Sequence, residues 1–301
     1  MASLKKLKIQ FLEYMEIEKG RAIRTIENYD HYLTRFLNFL KTDDPSDITD
    51  DKMREFRLWL NRQETGNRSQ SETLSKKTQN YYLISIRAFM KYLTRQGIKS
   101  YPAERIELAK TSQRMLDLIT KEELIRLLNA PSGDDVKSLR DKAILELLFS
   151  TGLRVSELCA LRDDVNLKSS ELAVRGKGGK VRVVFISDDA RAAVEKYLKK
   201  REGMSEALFT RIGREKTGSD FLDRRSVERI VKHYATVAGI AKRVTPHVMR
   251  HMFATDLLGN GADIRSVQTL LGHSSIITTQ IYTHITDKHL HDIHKKFHNK
   301  K

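Results

Sequence analysis

The sequence is poor in several things, and each shortage excludes a class of protein. Its 301 residues hold one cysteine, Cys159, which rules out a disulfide framework or a cysteine-rich zinc module. Cys159 lies between Leu158 and Ala160 and reads as a small core residue. No stretch approaches the roughly 20 apolar residues of a spanning helix. The start of the chain carries Lys5, Lys6 and Lys8 with no apolar run behind them, unlike a secretory leader. Acidic residues are also short: 39 Asp and Glu face 55 Lys and Arg, a net charge of +16. Such an excess spread along a chain implies a polyanionic partner, nucleic acid before membrane. With 40% hydrophobic residues the chain can fill a core, so disorder is excluded. A soluble cytoplasmic protein is expected, long enough for two domains.

Only four prolines and 15 glycines punctuate the chain, and long apolar patterns of helical period predict a mainly α protein. Ile26, Tyr29, Leu33, Phe36, Leu37 and Leu40 share one helical face. A second helix is predicted from about Ser75 to Arg95, with Tyr82, Ile86, Phe89, Met90 and Leu93 inward. Its opposite face carries Lys76, Asn80, Arg87 and Lys91. A charged stripe is commonly a solvated face, but one almost free of acids suits phosphate tracking. Residues 61–72, rich in Ser, Gln and Asn, read as a loop, and Gly97 closes the first helical unit. The charged stretch 99–116, containing Pro102, reads as a linker.

Beyond it, Thr120 and Glu123 form a capping box opening a helix through Leu124, Leu127 and Leu128. Another helix, Leu139 to Phe149, stops at Thr151-Gly152. From Leu172 to Ile186, β-branched runs flank Gly176-Lys177-Gly178-Gly179, predicting a β-hairpin with Lys177 near its tip. Helices resume after Ser187 and again from Arg224 to Ala238. The expected architecture is a helical bundle at 1–98, the linker at 99–116, and a mostly helical domain at 117–301 with one small antiparallel sheet.

Thr245-Pro246-His247-Val248-Met249-Arg250 is rich in chemistry. Thr is a good N-cap and Pro a good first helical residue, so His247 and Arg250 share a face in a first turn. A helix N-terminus bearing His and Arg is an anion site. His247 and His251 have the spacing of a zinc pair, but the intervening residues lack the Glu of a zinc protease and Arg250 repels a cation. No metal or cofactor is expected. Arg154 and Glu157 lie three apart in Thr-Gly-Leu-Arg-Val-Ser-Glu-Leu, and alone they read as an intrahelical ion pair. His273 follows Gly272 in Leu-Gly-His-Ser-Ser, and Tyr282 lies nine residues on, in Tyr-Thr-His.

Taken in order, Arg154, Lys177, His247, Arg250, His273 and Tyr282, with the four motif blocks around them, resemble the tyrosine recombinase (phage-integrase-like) family, across almost the whole chain. The two-domain form looks most like its Xer branch. Met249 and Met252 stand where the family commonly has Leu and Thr, and neither change removes a reacting group. The histidines after Tyr282 (His284, His289, His291, His294 and His298) are also unusual for the family.

The resemblance implies a SAM-like core-binding domain followed by a catalytic domain, together forming a clamp on double-stranded DNA. It implies that Tyr282 attacks the scissile phosphate to give a 3′-phosphotyrosyl bond, with Arg154, Arg250 and His273 on the phosphate oxygens. His247 is the implied acid/base assisting Tyr282, and Glu157 a supporting residue. Lys177 is the implied general acid, with Lys180 as competitor. Arg224 and Arg225, then Arg229 and Lys232, are second candidates for DNA contact after Lys76, Asn80, Arg87 and Lys91. A homotetramer on DNA, a monomer or dimer when free, and a second recombinase or activator protein are the implied partners. Leu290, Ile293 and Phe297 in the tail either fold back on their own core or dock on a neighbour. The competing functions are topoisomerase IB-like relaxation and non-catalytic DNA binding. Neither a nucleotide cradle nor a two-metal acidic cluster is present in the sequence.

Overall fold

The computed structural model describes residues 3–64, 73–111, 117–167, 169–176, 179–212 and 220–272. Lys177, His273, Tyr282 and the tail that follows lie outside the described residues. The chain divides into two compact units, residues 1–115 and 116–301.

The first unit is built on four helices: α1 (Leu4–Ile17), α2 (Ile23–Leu40), α3 (Asp50–Asn61) and α4 (Lys76–Arg95). Side-chain oxygens of Ser3, Thr49 and Ser75 cap α1, α3 and α4 by accepting from backbone N–H groups of the first turn, which satisfies donors that a helix start leaves orphaned. Each helix turns one stripe inward. Phe11 of α1, Phe36 of α2, Phe56 of α3 and Phe89 of α4 are almost wholly buried, and each such side chain contributes roughly 2–3 kcal/mol by leaving water. Phe11 meets Phe89 at 5.4 Å between centroids, and Phe36 meets Phe56 edge-on at 4.9 Å. The reading of 61–72 as a loop meets α3 at its first residue, since Asn61 completes that helix.

The stretch from Lys99, expected as a linker, packs back on the first unit as far as Ile106. Tyr101, Ala103 and Ile106 are buried in its core. The Tyr101 hydroxyl donates to Asp50 at 2.6 Å, and Arg105 pairs with the same carboxylate at 2.7 Å. Pro102 and the surrounding charges disguise three apolar residues spaced to reach one surface.

In the second unit, α6 (Val136–Thr151) is the central rod. Leu139, Ala143, Ile144, Leu145, Leu147 and Leu148 are buried along it, and so are Arg140 and Asp141, which pair with each other at 2.7 Å. Around it stand α5 (Lys121–Asn129), α8 (Asp188–Lys200), α9 (Arg224–Val237) and α10 (Pro246–Gly259). The Thr120–Glu123 capping box is formed in both directions. Short α7 (Val155–Leu158) follows α6, and α11 (Ile264–Leu271) follows α10. Strands β1 (Glu171–Arg175) and β2 (Val181–Phe185) pair antiparallel, with Leu172 opposite Val184 and Val174 opposite Arg182. Leu172, Val174 and Val184 face the core, whereas Val181, Val183 and Phe185 face out. Cys159 is half-buried against this core, and burial pushes its thiol up to about 11, the behaviour of an inert packing thiol.

Candidate active site

Helix α6 ends at Gly152, whose φ of +60° suits only glycine comfortably. A Cβ there would meet the Phe253 ring at 2.3 Å, so the chain must pass close beneath α10. Leu153 then plugs into the core, and Arg154 opens α7. The backbone N–H of Arg154 donates to Glu157 Oε2 at 2.8 Å, and its Nη1 donates to Oε1 at 2.9 Å. The sequence expectation of an i, i+3 pair holds, but the pair has a third member. Arg182 of β2 donates to both Glu157 oxygens, at 2.9 and 2.8 Å.

Helix α10 starts as its sequence dictates, with Thr245 accepting from Val248 N–H and Pro246 in the first turn. Its Arg250 is buried and donates to the carbonyls of Gly152 and Leu271. The last carbonyls of a helix lack intrahelical donors and carry the negative end of its dipole. At the end of α11 three guanidinium groups supply both needs. Arg182 donates to Leu270 O at 3.1 Å, Arg250 to Leu271 O, and Arg154 to Gly272 O at 3.0 Å. Gly272, at φ +62°, ends the helix, and His273 is the next residue in the chain.

Arg154, Arg250 and Arg182 thus converge on one helix end, with Glu157 beneath two of them. Burial would raise the Glu157 carboxyl, but hydrogen bonds from Arg182 and from the Arg154 backbone and side chain overcome it and hold the group at about 2. His247 stands at the start of α10. Partial desolvation, then the charges of Arg250 and Arg154, hold its imidazole below the ordinary value, so it is neutral at pH 7 and can accept a proton. It makes an edge contact with His251, 4.3 Å between ring centroids. Among the described residues, no group of three or more His, Cys, Asp or Glu is placed to hold a metal ion.

From His247 a groove of about 1520 Å³ runs along α9, lined by Arg224, Arg225, Arg229, Lys232, Lys242 and Arg243. Its acids are Asp223 and Glu228, and Asp223 is occupied in capping α9 and pairing with Arg211. The groove is therefore strongly cationic and ends at His247, a lining suited to an extended polyanion.

In the first unit, Lys76 and Lys91 are exposed on α4. Asn80 and Arg87 on the same face are turned to internal work. Asn80 exchanges hydrogen bonds with the backbone of Ala109, at 2.8 and 2.9 Å, and Arg87 donates to Ile106 O. Arg182 escaped the sequence reading. Its signal was its parity: on β2 it shares the inward face with Val184, and a charge on a core-facing strand position requires a buried partner.

A family model described as phage integrase family matches residues 117–289, and one described as phage integrase, N-terminal SAM-like domain, matches residues 9–97. Tyrosine recombinase XerC of Thermodesulfovibrio yellowstonii is 38% identical over 298 residues, covering 96% of this chain and 94% of that one. Tyrosine recombinase XerD of Listeria innocua is 35% identical, covering 96% and 97%. Among solved structures, the XerA recombinase is 31% identical with a TM-score of 0.53, covering 99% of both chains. XerH site-specific recombinase bound to its palindromic difH substrate shares the fold at a TM-score of 0.71 and 22% identity, covering 95% of this chain and 83% of that one.

Proposed function

Because the chain belongs to the phage integrase family and is a site-specific tyrosine recombinase of Xer type, we propose that it cuts and rejoins double-stranded DNA with Tyr282 as nucleophile. The convergence of Arg154 and Arg250 on one corner, beside a neutral His247 and a cationic groove, carries this reading. The Tyr282 Oη attacks phosphorus, the P–O5′ bond breaks, and a 3′-phosphotyrosyl bond replaces it. A tyrosine of ordinary pKa near 10 needs its proton removed, and His247 takes it. Arg154 and Arg250 exchange their carbonyl partners for the non-bridging oxygens, where their fixed charge meets the charge that builds in the transition state. His273 adds a further donor. Lys177, on the hairpin, gives its proton to the departing 5′ oxygen. The bond energy is kept in the phosphotyrosine, so reversal by another 5′-hydroxyl needs neither ATP nor a cofactor.

DNA is engaged by the groove along α9, through Arg224, Arg225, Arg229 and Lys232, and by Lys76 and Lys91 of the first unit. Asn80 and Arg87 shape that surface by holding residues 106–109. Most of these contacts go to phosphates and carry no sequence information. The protein works as a tetramer on DNA in the cytoplasm, alone or with a second recombinase or an activator. Among the described residues no helix is long and apolar enough to cross a membrane. The tail after Tyr282, with Leu290, Ile293 and Phe297, docks on a neighbouring copy. An apolar groove of about 560 Å³ lined by Leu128, Phe149, Phe253 and Leu257 offers a surface for such apolar residues. Relatives named as recombinases favour strand exchange over simple relaxation. Tyr282→Phe tests the assignment: it binds DNA like the wild type and forms no covalent adduct, and cleavage by that variant would move the nucleophile elsewhere.

A further inference from the structure

The hairpin that carries Lys177 is a two-stranded sheet, a unit with marginal stability of its own. Its outer face, with Val181, Val183 and Phe185, is exposed. Its hold on the unit rests on the inner face, and nearest the tip that face consists of Val174 and Arg182, paired across the strands. Arg182 is the polar anchor. Its side chain is 13% exposed and its fork sits on both oxygens of a Glu157 side chain 4% exposed, a bidentate fit that fixes orientation as well as distance. The Nε–H reaches Leu270 O from the same side chain.

Two glycines record how closely the backbone approaches this pair. A Cβ on Gly176, the residue before Lys177, would lie 3.3 Å from Arg182 Nη1 and 3.5 Å from Glu157 Oε1. A Cβ on Gly272, the residue before His273, would lie 3.0 Å from Arg182 Cδ and 3.2 Å from its Nε. The hairpin tip is closed above it, with Gly176 N–H donating to Lys180 O at 2.8 Å. One arginine therefore lies against the two backbone positions from which Lys177 and His273 depart, and it shares a carboxylate with Arg154.

We propose that Arg182 is a positioning residue for the cleavage step, fastening the hairpin to the body that carries Arg154 so that the Lys177 proton reaches the departing 5′ oxygen. This rests on the reading of Lys177 as general acid. In that step the P–O5′ bond breaks and its electron pair takes the proton from the Lys177 ammonium. General-acid help is worth about 10²–10⁴-fold, and a displacement of about 1 Å can forfeit about 10²-fold.

The test compares suicide-substrate cleavage of ordinary DNA with cleavage of the same duplex carrying sulfur in place of the bridging 5′ oxygen at the scissile phosphate. A thiol has a pKa near 8.5, so its thiolate leaves without a proton. Arg182→Gln is expected to slow ordinary cleavage by about 30- to 100-fold with DNA affinity unchanged, and to return to within about threefold of wild type on the sulfur substrate. Arg182→Lys, which keeps the charge but loses the fork, is expected to fall between and serves if Arg182→Gln does not fold. Lys177→Met is run alongside. Rescue of Lys177→Met without rescue of the Arg182 variants overturns the positioning role alone. Failure to rescue Lys177→Met removes the general-acid reading and the proposal with it.

Discussion

Replacing Glu157 by Gln tests whether the carboxylate is the electrostatic keystone of the site. The carboxyl is held at about 2, against an ordinary 4.5. That depression corresponds to roughly 3 kcal/mol of stabilisation of the charged form in the folded protein. The folded value is depressed, so the contribution is complete well above pH 4.5 and fades as pH falls toward 2. From this group alone the wild type loses about 1 kcal/mol between pH 7 and pH 4, and about 2 kcal/mol by pH 3. Glu157→Gln has no such group. Its deficit against wild type is expected to be about 3 kcal/mol at pH 7 and to shrink by about 1 kcal/mol at pH 4 and about 2 kcal/mol at pH 3. Urea unfolding followed by circular dichroism at each pH measures it. The chain's one tryptophan, Trp59, belongs to the first unit, so its fluorescence provides an internal control that the substitution leaves unshifted. Parallel stability curves for the two proteins from pH 7 to pH 3 would show that the Glu157 carboxyl is not held low in the folded protein.

The cationic groove and the tail make two further predictions. Arg224→Gln or Arg225→Gln is expected to weaken binding about equally for all duplexes and to lower the slope of log affinity against log salt by about 1 for each phosphate left without its arginine. An unchanged slope in a salt titration would take that residue off the DNA. Deleting residues 289–301 is expected to abolish the tetramer on DNA, seen by sedimentation, while leaving monomer unfolding unchanged. A destabilised monomer would instead seat the tail on its own core.

Much of this fold is written in local signals. The stripes of α2 and α4, the Thr120 capping box, the Thr245-Pro246 start of α10 and the glycine stop at 152 all stand where their residues predict. Helix α3 carries only Met53, Phe56 and Leu60 as its buried stripe among many charges, and α7 has four residues, too few for any periodicity to register. The Arg154–Glu157 pair was legible because its members are three apart. The contacts of Arg182 with Glu157 and of Arg250 with Gly152 join residues 25 and 98 positions apart, and no local pattern encodes them. The stripe on α4 gave the correct face for Asn80 and Arg87 but not their neighbours, because periodicity fixes direction and packing decides what lies there. The residues after 98 looked like linker since charge and proline outweighed Tyr101 and Ile106, whose burial depends on a surface made by α3 and α4.

The most direct measurement incubates the protein, without metal or nucleotide, with nicked suicide duplexes and maps any denaturation-resistant protein–DNA adduct by peptide sequencing. An adduct is expected at Tyr282, lost in Tyr282→Phe and strongly reduced when Arg154 or Arg250 is replaced. An adduct on another residue would take the nucleophile away from Tyr282, and one formed equally well without either arginine would take the phosphate away from Arg154 and Arg250.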